Sequence, residues 1–193
     1  MIPKERETFY PASRREWRKW LKEHHQSKQS IWIICYKQSA GVPTISWSDV
    51  VDEALCFGWI DSTRVSIGDG KFVQFITRRK PKSNWSKINK DKVARLIEEG
   101  KMTKAGYDSI DIAKKNGSWK ALDKVETLTI PKDLATELRS RPGSRKYFMS
   151  LSKSVRKMML QWVAMAKRPE TKEKRILEIA EAAAKSERPK QFS

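Results

Sequence analysis

The residues best equipped for chemistry gather around one acid. Asp61 stands in Trp59-Ile60-Asp61-Ser62, and a basic run follows downstream: Arg78-Arg79-Lys80-Pro81-Lys82-Ser83-Asn84-Trp85-Ser86-Lys87. A carboxylate in apolar surroundings can serve as a general acid or base. That work takes a partner, and no histidine, cysteine or second carboxylate is spaced to join it. An aspartate so placed ordinarily pairs across strands, here with Arg78, Arg79 or Lys82, or satisfies turn amides. The basic run suits anions. Arginine and lysine bind phosphate oxygens, the Trp85 indole can stack on a base, and a helix start after Pro81 or Ser83 adds backbone amides. In the structural alternative, Trp85 is a hydrophobic anchor, Ser83 or Ser86 a cap, and the cations are solvated. The candidate ligand-binding residues are therefore Trp59, Asp61, Ser62, Arg78, Arg79, Lys80, Lys82, Asn84, Trp85 and Ser86. No residue is assigned as catalytic, and no metal or cofactor is expected.

Two other groups are weaker. Asp49 shares one helix face with Asp52 or Glu53, a spacing that metal sites use, but no histidine accompanies them. The expectation there is a solvated acidic face. His24 and His25 end a helix, where cations complement the dipole.

The elements that position these residues are marked in the sequence. Ser46, with Asp49 three residues on, opens a helix carrying Val50, Val51, Ala54 and Leu55 at helical period, and Gly58 can end it. Two extended segments, Trp59 to Ile67 and Lys71 to Arg79, flank Gly68-Asp69-Gly70 and read as a β-hairpin. In that hairpin Val65 and Ile67 would face Phe72 and Ile76. A hairpin returns both ends to one side, which brings Asp61 toward Arg78 and Arg79. Upstream, Ser13 and Glu16 form a second capping box opening a helix to about His25, with Trp17, Trp20 and Leu21 on one side. Ile31 to Lys37 is a nearly continuous apolar run, the pattern of a central strand. Trp85 to Glu99 reads as a helix with Ile88, Val93, Leu96 and Ile97 as its apolar positions. Thr103 caps another, Lys104 to Lys115, and Trp119 to Leu122 adds one turn.

From Val125 the pattern becomes all-helical: Lys132 to Ser140, Gly143 to Leu151, Lys153 to Ala166 and Glu170 to Ala184. Phe148, Leu151, Val155, Met159, Trp162 and Val163 form an apolar series at helical spacing, and the tail after Ser186 is expected to fray. The fold class is thus α+β: a small, mainly antiparallel sheet with a hairpin, covered by helices, in a core domain over 1–124, plus a helical subdomain over 125–193. Trp32, Ile34, Leu55, Cys56, Phe57, Trp59, Phe75, Leu96 and Trp162 are the expected core.

The chain has 193 residues, with 41 Lys plus Arg against 23 Asp plus Glu, a formal charge of +18. That excess favours an anionic partner: nucleic acid, an acidic protein or an anionic membrane surface. Its 38% hydrophobic content and eight tryptophans suffice for a core and argue against wholesale disorder. Cys35 and Cys56 lie in apolar contexts with no zinc-like spacing. No apolar run approaches a membrane span, and the N-terminal residues lack a signal-peptide core. These features together read as a cytoplasmic protein. The sequence leaves the oligomeric state open.

Leu-Cys-Phe-Gly-Trp-Ile-Asp-Ser, Arg-Lys-Pro-Lys-Ser-Asn-Trp-Ser-Lys-Ile-Asn-Lys and Glu-Glu-Gly-Lys-Met-Thr-Lys-Ala-Gly carry a resemblance. With the later Ile-Pro-Lys-Asp-Leu, Tyr-Phe-Met-Ser-Leu-Ser and Trp-Val-Ala-Met-Ala-Lys-Arg-Pro-Glu-Thr-Lys-Glu-Lys-Arg-Ile, it spans about Trp32 to Ile179. The chain resembles the YdeI/OmpD-associated family, also called OmdA or bacteriocin-protection-like. Where similar proteins often have Phe-Thr-Pro-Arg, this chain has Ile76-Thr77-Arg78-Arg79. The resemblance implies tolerance of bacteriocins or antimicrobial peptides and carries over no catalytic residues. Three readings follow: an accessory or stress-tolerance protein that works by binding an anionic partner, a nucleic-acid-binding module using the hairpin–helix junction, and an enzyme with a cleft lined by Asp61, Trp59 and Trp85.

Overall fold

The computed structural model describes residues 7–192, which form two compact units dividing after Trp119. The first unit is α+β. Its elements are β1 (Thr8–Phe9), α1 (Arg14–His24), β2 (Ser30–Tyr36), α2 (Trp47–Cys56), β3 (Trp59–Gly68), β4 (Lys71–Arg78), α3 (Lys87–Glu98) and α4 (Lys104–Lys115). The sheet order is β1-β2-β4-β3. β1 runs parallel to β2, and the other pairings are antiparallel. β1, only two residues long, is too short to leave a periodic signal in the sequence.

The strand alternation decides which side chains meet the helices. Ile31, Ile33 and Cys35 of β2 and Phe72 and Ile76 of β4 join Trp17, Leu21, Val50, Leu55 and Leu96 in one buried core. The Trp17 indole, fully buried there, donates to the Val50 carbonyl at 3.0 Å, which satisfies its polar atom and pins α1 to α2. Trp32 and Phe75 lie on the opposite face, opposite each other in the ladder with ring centroids 4.8 Å apart. Ile34 and Phe75, expected in the core, lie half-buried on that second face, beside the buried Trp32 and Val73.

The hairpin forms with a different register from the expected one. Val65 lies opposite Val73, Ser66 opposite Phe72 and Asp61 opposite Ile76, with irregularities between Asp61 and Arg64 and between Ser66 and Gly68. Each extra residue in β3 changes which face the next side chain takes. The caps were legible. Ser13 accepts from the Glu16 amide, Ser46 from Asp49 and Ser86 from Asn89. Thr103 instead turns its hydroxyl to the Cys56 carbonyl at 2.6 Å. Ile88 and Ile97, read as core positions of α3, are 65% and 38% exposed. Val93 and Leu96 alone are buried there, because the stripe α3 presents to its neighbours is narrower than the apolar pattern.

The second unit is helical: α5 (Asp123–Glu126), α6 (Lys132–Ser140), α7 (Ser144–Ser150), α8 (Lys153–Ala164) and α9 (Pro169–Ala184). The single turn expected at Trp119 to Leu122 falls instead at α5. α9 packs against α6, α7 and α8, and Leu134, Leu138, Phe148, Met159, Val163, Ile176 and Ile179 fill the space between them. Trp162 is only half-buried, with Phe192 edge-on at 5.6 Å and the Arg175 guanidinium over it at 4.9 Å. The segment after Ser186 was expected to fray, but it ends in a short 3₁₀ turn, Lys190–Phe192, whose Phe192 packs on the core.

Candidate functional site

A close helix contact builds the cleft next to the hairpin. Thr103 donates to the Cys56 carbonyl from both its amide, at 3.2 Å, and its hydroxyl, tying the start of α4 to the end of α2. Glycines permit the approach. A Cβ on Gly58 would stand 2.8 Å from the Ala105 carbonyl oxygen, and one on Gly106 would stand 2.5 Å from the Cys56 oxygen. Gly58 also has φ +72°, a conformation that other residues resist. Around this contact lies a cleft of about 300 Å³. Its walls are Trp59 and the Arg78–Pro81 segment on one side, Ala105, Asp108, Ser109 and Ile112 of α4 on another, with Asp108 paired to Lys104 at 2.8 Å, and His25 and Gln26 at the end of α1.

The candidate residues divide here. Trp59 lies buried at the cleft, its indole donating to the His25 carbonyl at 3.3 Å. Arg78 also lines the cleft, but its guanidinium is committed. Nε donates to the His25 carbonyl at 2.8 Å and Nη2 donates to the Gln26 carbonyl, closing the C-terminal end of α1. Lys80 is exposed at the lip. Arg79 differs from all of these. Its guanidinium lies over the Trp85 ring at 3.7 Å, and Nη1 donates to the Asn84 carbonyl at 3.0 Å. Its Nε and Nη2 are shielded from solvent and meet no acceptor among the described residues. Burial lowers its pKa to about 10, against the attraction of Asp61.

The remaining candidates do not line the cleft. Asp61 faces Ile76 in the ladder, and its nearest amide is Gln74 Nε2 at 3.4 Å. Burial holds its carboxyl above the usual range, opposed by a hydrogen bond from Trp47 and by the charges of Arg79 and Lys92. The expected approach to Arg78 does not occur, because the register places Arg78 opposite Trp59. Ser62 and Lys82 are exposed, Asn84 contributes its carbonyl to Arg79, and Ser86 is the cap of α3. Trp85, 1% exposed, packs against Trp119 at 4.9 Å, so its ring is an anchor with one face given to Arg79.

The acidic helix face is buried where a solvated one is expected. Asp52 and Glu53 are 2% and 1% exposed, not solvated. Glu53 accepts from Arg14 and Arg18 at 2.6 Å each, while Asp52 holds Lys92 at 2.5 Å and also Arg95. These pairs tie α1 and α3 to α2. The usable signal was on α1, where Arg14 and Arg18 stand four residues apart and so share a face. Among the described residues, no group of three or more histidines, cysteines and carboxylates could hold a metal ion.

No curated protein and no solved structure matches this chain. Residues 127–186, which hold α6 to α9, match the family described as Bacteriocin-protection, YdeI or OmpD-Associated. The motifs around Trp59 and Trp85 fall within a second match. Over residues 9–109, which take in the sheet from Phe9 onward and every cleft-lining residue but Ile112, the chain belongs to the family described as Domain of unknown function (DUF8412).

Proposed function

We propose that the protein works by binding rather than catalysis, and that it holds a small anion beside Arg79. The observation that carries this reading is the pair of shielded guanidinium nitrogens, Nε and Nη2, with no acceptor. A buried donor left unpaired costs about 1–3 kcal/mol, more when charged. An anionic oxygen reaching Arg79 removes that cost. The fork of Arg79 can offer Nε and Nη2 together, the geometry that suits a phosphate or carboxylate. Lys80 at the lip adds a second positive charge, and Trp59 and Ile112 supply apolar wall. Catalysis has less support, since Asp61 and Trp85 stand outside the cleft.

On this reading the protein is a cytoplasmic accessory or stress-tolerance protein, in keeping with two buried, unpaired cysteines. Tolerance of bacteriocins is the role that the family matched over 127–186 suggests for it. The test uses inorganic phosphate and acetate as probes, read by tryptophan fluorescence and by thermal unfolding. A ligand at a hundred times its Kd stabilises the native state by about 2.7 kcal/mol. Arg79→Met is expected to abolish that shift, and Lys82→Gln to leave it intact. Equal shifts in the wild type and Arg79→Met would refute the site.

A further inference from the structure

The geometry points to a second anionic site: the cationic face of α1 is a binding surface for the phosphodiester backbone of nucleic acid. It is separate from the Arg79 cleft and rests on different residues. At about 100° per residue, Arg14, Arg15, Arg18, Lys19 and Lys22 fall within roughly 140° of arc on one side of the helix. Glu16 and Glu23 lie outside that arc, and Trp17 and Leu21 face the core. This face forms one wall of a groove of about 1080 Å³, the Gly100–Lys101 turn forms another, and the carboxylates of Glu16 and of Glu53, the latter paired with Arg14 and Arg18, also line it.

The cations have two roles. Arg14 and Arg18 are pinned by buried Glu53, and Arg18 Nη2 also donates to the Lys101 carbonyl at 2.7 Å. They fix the orientation of the helix. Arg15, Lys19 and Lys22 are exposed, and among the described residues none has a carboxylate within 4 Å. From Arg15 to Lys22 the helix rises about 10 Å, close to three nucleotide steps at about 3.4 Å along one strand.

The lining also selects the class of partner. Among the described residues, no aromatic or large apolar side chain lines the groove. A protein partner would therefore find no pocket for an anchoring residue. A membrane surface would meet no side chain to bury among its lipids. Bases would find no ring to stack on, so binding is to phosphates and independent of sequence. A regular polyanion is what remains, and the net charge of +18 accords with it.

The test is fluorescence anisotropy of labelled 20-nucleotide single strands and 20-base-pair duplexes between 50 and 200 mM salt, with the full chain. The combined Arg15→Gln, Lys19→Gln, Lys22→Gln variant removes three phosphate contacts. The slope of log K against log salt is expected to fall by about 2.7 units on duplex or about 2 on single strands, with affinity near 0.1 M down by about two orders of magnitude. The form showing the larger wild-type affinity identifies which nucleic acid the groove takes. Should the triple variant fail to fold, Lys22→Gln alone is expected to lower the slope by about one unit. Absence of wild-type binding, or an unchanged slope in these variants, overturns the proposal. So does a slope that moves instead with Lys80→Gln and Lys82→Gln, or displacement by polyglutamate at matched charge.

Discussion

Arg18 and Glu53 meet at 2.6 Å, one carboxylate oxygen against one guanidinium nitrogen, with the glutamate side chain almost wholly out of water. The other oxygen of Glu53 accepts from Arg14 at the same distance. Removing the charge at Glu53 leaves Arg18 without its carboxylate at the α1–α2 contact and leaves Arg14 with Asp49 alone, at 2.9 Å. Loss of one partner of a buried pair costs about 3–5 kcal/mol. Because both arginines are about a third exposed, Glu53→Gln is expected at the lower end of that range, read as a fall in the urea midpoint. A loss under about 1 kcal/mol would mean that water replaces Glu53 without penalty.

Gly106→Ala places a methyl group between the end of α2 and the start of α4, 2.5 Å from the Cys56 oxygen and 2.3 Å from Met102 Sδ. The methionine can move, but the backbone oxygen cannot. Overpacking of this kind costs about 1–3 kcal/mol. The same substitution should widen the cleft and weaken phosphate binding, so equilibrium unfolding and the phosphate titration are expected to move together.

Asp61 gives a pH dependence of known sign. Its folded pKa lies above the unfolded value, so the native state holds its proton more tightly. Its stabilising contribution is full below the unfolded pKa, about 3.9 for an ordinary aspartate, and is lost as pH rises through the folded value. Asp61→Asn keeps an acceptor for Gln74 and removes the titration. Its stability relative to wild type is expected to increase from pH 4 to pH 7 in urea unfolding. A constant difference across that range would show that the carboxyl is not disfavoured by burial.

Cys35 and Cys56 are buried, and burial pushes both thiols up to about 11. The thiolate is the reactive form, so native protein at pH 8 is expected to resist alkylation by iodoacetamide. Mass spectrometry should find two modified cysteines only after unfolding in urea.

Leu55→Ala and Leu96→Ala each open the main core and are expected to cost roughly 2–5 kcal/mol. Ile88→Ala, at an exposed position of the same helix as Leu96, is expected within about 0.5 kcal/mol of wild type.

The contrast between Leu96 and Ile88 shows how far periodicity carries. A helical repeat marks a stripe, but the neighbours that cover it decide its width. The α+β class, the three serine caps and the Ser30–Tyr36 strand were legible because each rests on local chemistry. The register of β3 was not, since no glycine marks the irregularity between Asp61 and Arg64. The buried state of Asp52 and Glu53 was hidden for another reason. Their cations arrive from α1 and α3, 35 to 43 residues away in the chain. At the cleft, the basic run pointed to the right neighbourhood, but the roles of its members were set by what each meets. Arg78 closes a helix end, whereas Arg79, the next residue, keeps two donors free.

The two irregularities in β3 also bear on how the sheet ends. β3 is an outer strand, and its middle residues Ser62, Thr63 and Arg64 face solvent. A visiting strand laid along this border would find donors and acceptors out of step at two places within eight residues, with a guanidinium beside one of them. That mismatch protects against edge-to-edge polymerisation. At the far border, β1 covers only Trp32 and Ile33, and Thr44 accepts the Tyr36 amide beyond it. A strand arriving at the sheet thus meets broken register at the β3 border and, past the short β1, a Tyr36 amide that is already taken.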